Sequence, residues 1–304
     1  MGLFKKRKQI VSRFYLLRGD DLAIYISNMG AELISVKNIL TKTEYIWNGN
    51  PDYWSRRAPI LFPVTGALND DKYIHDGKEY NMKQHGFARD RIFSKAVETH
   101  EQLWFTLDSD DSTRASYPFD FHLAVGYRLK GHTLEIMWRV VNKDDHTMYF
   151  SIGGHPAFRC PLERGESQSD YYVGFDMEGR GNPKYMMVNR KGLYCPQEYE
   201  LPLEHSLYRL KKGTFDKNPM IFENQTKRVS LVRPDFRPYV TVTFSSPIFR
   251  MWSPAGKNAP LVSLEPWYGM CDSIGYCGEF SQKRWMQHLE PEEMFESSYF
   301  IEFS

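Results

Sequence analysis

Three segments of this chain set ionisable side chains beside glycine and proline in otherwise apolar surroundings. The first is Arg56 to Gly66, RRAPILFPVTG, with its continuation Gln84 to Asp90, QHGFARD. The second is Ser151 to Pro161, SIGGHPAFRCP, and the third is Trp252 to Gly269, WSPAGKNAPLVSLEPWYG. Glycine lets backbone or ligand approach closely, and irregular backbone on a rigid scaffold often carries function. His85 precedes Gly86 and Phe87, and His155 sits between Gly154 and Pro156. Each is either a hydrogen-bonded structural histidine or a group that exchanges protons near neutral pH. Glu265 follows the apolar run Leu261-Val262-Ser263-Leu264 and precedes Pro266-Trp267. A carboxylate at the end of a buried strand is costly unless paired or used, so it is half of a buried salt bridge or a functional base. Arg56 and Arg57 stand before the apolar Ala58-Pro59-Ile60-Leu61-Phe62. One is expected to anchor a hydroxyl or oxyanion and the other to be solvated.

Two histidines and one carboxylate suit two chemistries. They could hold a metal such as non-haem iron as a facial triad. They could instead act as acid and base on an organic substrate without a metal. All three are far apart in sequence, so spacing does not choose between these readings.

The elements that must position them read as strands. Asp21 to Ser27, DLAIYIS, alternates apolar residues at Leu22, Ile24 and Ile26. Leu103 to Leu107, Leu123 to Leu129, Thr133 to Val141, Val229 to Val232, Tyr239 to Phe244, Leu261 to Leu264 and Tyr299 to Phe303 read likewise. The turn Lys130-Gly131-His132 joins two of them in a β-hairpin. No segment carries a long period-3.6 stripe. So many strands need stacked sheets, and the expected architecture is all-β, a large antiparallel β-sandwich formed by residues 1–304 as one domain, with 1–12 a basic tail or edge segment. Aromatics at 15% fit half-buried pleated surfaces. They also offer flat platforms for the C–H face of a pyranose, although core packing accounts for most of them.

A net charge of +1 argues against a nucleic-acid partner, and the basic run Lys5-Lys6-Arg7-Lys8 reads as a solvated tail. No apolar stretch is long enough to span a bilayer, and no apolar core follows the N-terminal basic residues, so a cytoplasmic protein without a membrane partner is expected. Cys160, Cys195, Cys271 and Cys277 form no CxxC pair and no common zinc spacing. No Walker or Rossmann phosphate loop is present, and no cofactor is expected.

The motifs Arg57-Ala58-Pro59-Ile60-Leu61-Phe62-Pro63, Tyr73 through Asp76-Gly77-Lys78-Glu79-Tyr80, and His85-Gly86-Phe87-Ala88-Arg89-Asp90 resemble the aldose 1-epimerase family. Gly153-Gly154-His155-Pro156-Ala157-Phe158 and Glu265-Pro266-Trp267 match the same family in the same order, closest to its bacterial branch of uncertain sugar preference. The resemblance covers Asp20 to the C-terminus. It implies a galactose mutarotase-like β-supersandwich that interconverts the α and β anomers of an aldose. On that resemblance Glu265 is the general base at the C1 hydroxyl and His155 the general acid at the ring oxygen. His85 is a second histidine that binds the sugar and supports charge near the ring oxygen, and Arg57 is a sugar contact, with Arg56 as the competing neighbour. Many members place a hydroxyl-binding Asp before a late strand. Here Asp216-Lys217-Asn218-Pro219 aligns best with Asn218 at that position. Trp252 and Trp267 are expected as pocket walls. The implied partner is a small-molecule sugar, and the sequence favours neither a monomer nor a dimer. A phosphorylated sugar would need a cationic site, for which Arg89, Lys72 and Arg250 are available, although nothing in the sequence places them together. A non-catalytic carbohydrate-binding protein is disfavoured because both His155 and Glu265 are present.

Overall fold

Alternation of large apolar side chains decides which face each strand buries. In the strand Phe121–Lys130, Leu123, Val125, Tyr127 and Leu129 point into the core. They meet Leu134, Ile136, Trp138 and Val140 of Thr133–Asn142, which pairs with it antiparallel so that Leu129 faces Leu134 and Val125 faces Trp138. The connection is the expected hairpin, with Gly131 at φ +57° where a side chain would be strained.

The structure is a computed structural model that describes residues 11–216 and 219–304. The basic run Lys5 to Lys8 and Asn218 lie outside the described residues. The hairpin belongs to a nine-stranded sheet running from Leu207–Arg209 at one edge to Ser94–Glu98 at the other. Facing it is an eight-stranded sheet with Tyr194–Glu200, Lys184–Val188, Met220–Glu223, Ile248–Trp252, Leu261–Tyr268, Ile152–Gly154 and Ile60–Leu61 side by side, and Ala157–Arg159 also pairing with Leu261–Tyr268. The core lies between them: Val125, Trp138, Val242 and Ile301 from the first sheet, Phe222, Phe249, Met251, Val262 and Leu264 from the second. Ladders in both sheets are antiparallel, so the architecture is the antiparallel β-sandwich that the alternation implies. No helix among the described residues is long and apolar enough to cross a membrane.

One expected boundary changes. Glu265 does not end its strand, which continues through Pro266 and Trp267 to Tyr268. Proline is tolerated there because the neighbouring chain is interrupted. Ile152 and Gly153 pair with Tyr268 and Trp267, Ala157 resumes pairing at Ser263, and the gap between holds Gly154-His155-Pro156.

Candidate active site

Period-2 geometry sorts the strand pair Ile248–Trp252 and Leu261–Tyr268 into two faces. Phe249, Met251, Val262 and Leu264 enter the core, which leaves Arg250, Trp252, Ser263, Glu265 and Trp267 together on the opposite face. Arg250 is the direct cross-strand partner of Glu265. Its Nη1 donates to Glu265 Oε2 at 3.1 Å, and Ser263 Oγ donates to Oε1 at 2.6 Å. Glu265 is 0% exposed, and that burial pushes its pKa up to about 7, with the Arg250 charge and the Ser263 hydroxyl pulling in the opposite direction.

His155 Nε2 lies 3.3 Å from the same Oε2. Gly153 and Gly154 let the imidazole reach this position. A Cβ on Gly153 would lie 2.5 Å from Trp267 Cδ1, and one on Gly154 2.6 Å from Tyr299 Oη. His155 stacks on Trp54 with ring centroids 4.7 Å apart and meets Trp252 edge-on at 5.3 Å. Burial and the Arg250 charge hold its pKa well below the usual histidine range. Its Nδ1 is buried without a hydrogen-bond partner.

His85 approaches from the other side, its ring centroid 5.6 Å from that of His155. Its backbone is left-handed, at φ +68°, a strained conformation for a residue with a side chain. A tight loop holds it: His85 N–H donates to Gly66 O at 2.9 Å, and Gly66 N–H donates to His85 Nδ1 at 3.0 Å. Nδ1 is thus an acceptor, so the neutral ring carries its proton on Nε2. Burial, then the neighbouring His155 charge, push the His85 pKa well below its ordinary value.

These groups floor a cleft of about 950 Å³ lined by Trp54, His85, His155, Arg250 and Trp252, among others. Glu265 lies beneath, covered by His155 and Arg250. Trp252 is part of the cleft wall. Trp267 is not: fully buried behind the floor, it supports His85 at a ring distance of 5.7 Å and lies under the Arg250 guanidinium at 5.1 Å. Arg57 is also placed elsewhere. Its backbone N–H and that of Ala58 donate to Glu32 Oε1, and its Nη1 donates to Ile34 O at 2.7 Å, which turns the guanidinium toward the strand Glu32–Asn38. Arg56 pairs with Asp90 at 2.7 Å. The arginines that do line the cleft are Arg89 and Arg250, whereas Lys72 borders a separate pocket and pairs with Glu79.

Sequence reasoning missed three residues. Trp54 carried no signal beyond its position just before Arg56. Asp216 lines the cleft, its Oδ1 accepting from Gly256 N–H at 2.9 Å, two positions before the Asn218 favoured by alignment. Ser263 was legible in principle, since residues two apart on a strand share a face.

The ligand atoms of His85, His155 and Glu265 do not gather as a set within 4.8 Å; among the described residues that spacing is met by Asp144, Asp145 and His146, away from the cleft. His85 Nδ1 is also occupied by the Gly66 N–H. The arrangement suits proton transfer better than metal ligation.

Known proteins place this geometry in context. The chain is 32% identical to a galactose mutarotase related enzyme from Lactobacillus acidophilus, with a TM-score of 0.90 over 96% of this chain and 97% of that one. A galactose mutarotase-like protein from Lactobacillus casei superposes with a TM-score of 0.89 at 28% identity, over 96% of this chain and all (100%) of that one. The plasmid-encoded Protein LacX of Lactococcus lactis subsp. lactis is 28% identical over 300 residues, 94% of this chain and 97% of its own length. The family model for aldose 1-epimerase matches residues 13–300, and the chain belongs to that family.

Proposed function

We propose that this protein is a mutarotase that exchanges the α and β anomers of an aldose by acid–base ring opening. The observation that carries the reading is the His155–Glu265 pair, in which His155 lines an aromatic cleft and Glu265 is buried directly beneath it. Burial raises the carboxyl and lowers the imidazole, which in the empty site favours the proton on Glu265, and moving it across the 3.3 Å contact to His155 gives the reactive ion pair. In the working form that proton is on His155 Nε2 and Glu265 is ionised. The sugar replaces their mutual contact, with its C1 hydroxyl at Glu265 and its ring oxygen at His155. Glu265 takes the C1 hydroxyl proton, His155 gives its proton to the ring oxygen, and the bond from C1 to the ring oxygen breaks. The products are an open-chain aldehyde, a protonated carboxyl and a neutral imidazole. Rotation about C1–C2 and reversal of both transfers close the ring on the other face. His85, with its proton on Nε2, donates to a sugar oxygen near the ring oxygen and disperses charge there. Trp54 and Trp252 supply apolar surface for the C–H face of the ring, and Asp216 accepts from hydroxyls.

Exchange NMR on equilibrated anomers, across a panel of free and phosphorylated aldoses, tests this directly. Catalysed exchange is expected for at least one aldose, and it should survive exhaustive chelation. Exchange with none refutes the proposal. Loss on chelation, restored by one divalent ion, would favour a metal-centred site instead.

A further inference from the structure

The loop that carries Trp54 also holds the backbone of His155. His155 N–H donates to Pro59 O at 3.1 Å, and Ala157 N–H donates to Arg57 O at 2.9 Å. Trp54, three residues before Arg57, stacks on the imidazole from the cleft side. The place of the His155 ring against Glu265 therefore depends on where residues 54–59 lie. Yet no strand or helix covers the chain between Asn38 and Ile60, so regular secondary structure does not fix that segment.

Glu32 does. Its Oε1 accepts from the backbone N–H of Arg57 at 2.8 Å and from that of Ala58 at 2.9 Å. Both are charge-assisted bonds, made where burial raises the carboxyl pKa and the two N–H groups lower it. Glu32 is itself delivered by a tight turn. Gly30 and Ala31 are both left-handed, at φ +69° and +48°, and Tyr127 Oη reaches out of the core to donate to Ala31 O at 2.6 Å. Gly30 N–H donates to Arg91 O at 2.7 Å, and a Cβ on Gly30 would lie 2.7 Å from Arg89 O. The same turn thus braces Ala88–Asp90, the short turn that follows His85, so both histidine loops lean on it.

We infer that Glu32 is a positioning residue for His155: its carboxylate fixes the segment 54–59, and that segment fixes the imidazole against Glu265. This rests on the mutarotase reading and adds a residue that acts without touching the sugar, since Glu32 does not line the cleft. Proton transfer needs partners within hydrogen-bond reach, and a displacement of about 1 Å can cost on the order of a hundredfold in rate.

Two variants separate the reach of the acceptor from its charge. Glu32→Gln keeps an oxygen at the same reach, with two lone pairs for the two N–H groups, and loses the charge. Glu32→Asp keeps the charge and withdraws the oxygens by about 1.5 Å. Each is followed on the full-length protein by exchange NMR, by urea denaturation and, without sugar, by the imidazole 15N signals of His155 across pH. Glu32→Gln is expected to stay within about threefold of the parent in kcat, with the His155 signals in place. Glu32→Asp is expected to lower kcat by about tenfold or more, by a larger factor than it raises KM, and to move the His155 signals. If Glu32→Asp does not fold, Glu32→Asn supplies the short reach without a charge, against the same Glu32→Gln control. A short variant that loses stability but keeps kcat and the His155 signals shows a merely structural role and overturns the inference. A loss in Glu32→Gln as large as that in the short variant assigns the effect to charge and also overturns it. If the parent exchanges no sugar, the mutarotase reading fails, and the His155 signals still decide: moved by the short variant alone they support the inference, and otherwise they overturn it.

Discussion

Replacing Glu265 by glutamine should remove anomer exchange and, at neutral to alkaline pH, stabilise the fold. The carboxyl pKa is about 4.5 in the unfolded chain and about 7 in the folded protein, because burial disfavours the charge more than Arg250 and Ser263 favour it. The folded state therefore holds a proton more tightly than the unfolded state. Below about pH 4.5 the carboxyl is protonated in both states and exacts no penalty; as pH rises toward and through 7, stability falls. A shift of about 2.5 units corresponds to about 3 kcal/mol, nearly all of it expressed by about pH 8 and less than 1 kcal/mol of it by about pH 5. Glutamine mimics the protonated carboxyl: its one oxygen accepts from Arg250, and its amide N–H can donate to the Ser263 hydroxyl, which already donates to Trp252 O at 3.2 Å. Urea denaturation of both proteins should thus give a difference that grows in favour of Glu265→Gln by about 2.5 kcal/mol between about pH 5 and pH 8. Exchange NMR on the same samples should show at least a hundredfold loss of rate, in the roughly 10²–10⁴-fold range of a positioned base. Stability curves that run parallel with pH would refute the electrostatic argument. Activity within about threefold of the parent would refute the assignment of the base.

The two histidines should differ under steady-state kinetics across pH. His155→Asn should lower kcat strongly and distort the pH profile, whereas His85→Asn should lose more apparent affinity than turnover; a larger kcat loss at His85 would reverse the roles. Trp54→Ala removes the ring stacked on His155 and should raise KM several-fold, checked with the best sugar of the panel; an unchanged KM would remove Trp54 from the binding wall. Gly154→Ala should destabilise the protein by about 1–3 kcal/mol in denaturant titration, since its methyl group would meet Tyr299 Oη at 2.6 Å; unchanged stability would show that the Tyr299 ring yields freely.

What the chain determined by itself is local. Alternation at Leu123, Val125, Tyr127 and Leu129 specifies a strand and its buried face, because successive side chains point to opposite sides. The same rule puts Ser263, Glu265 and Trp267 on one face, and the glycines before His155 announce a close approach of backbone and ring. The antiparallel β-sandwich was legible for this reason, as was the prominence of His85, His155 and Glu265. Tertiary structure decided which groups meet. Arg250 pairs with Glu265 through strand order and register, and Trp54 reaches His155 from a loop about a hundred residues away in sequence. Arg57 sits in the conspicuous motif, yet the Ile34 carbonyl and the Glu32 carboxylate draw it away, and Arg89 occupies the cleft in its place. The raised Glu265 pKa also belongs to this second class. It follows from the balance of burial against one guanidinium and one hydroxyl, and that balance exists only once strands distant in sequence have closed over the carboxylate.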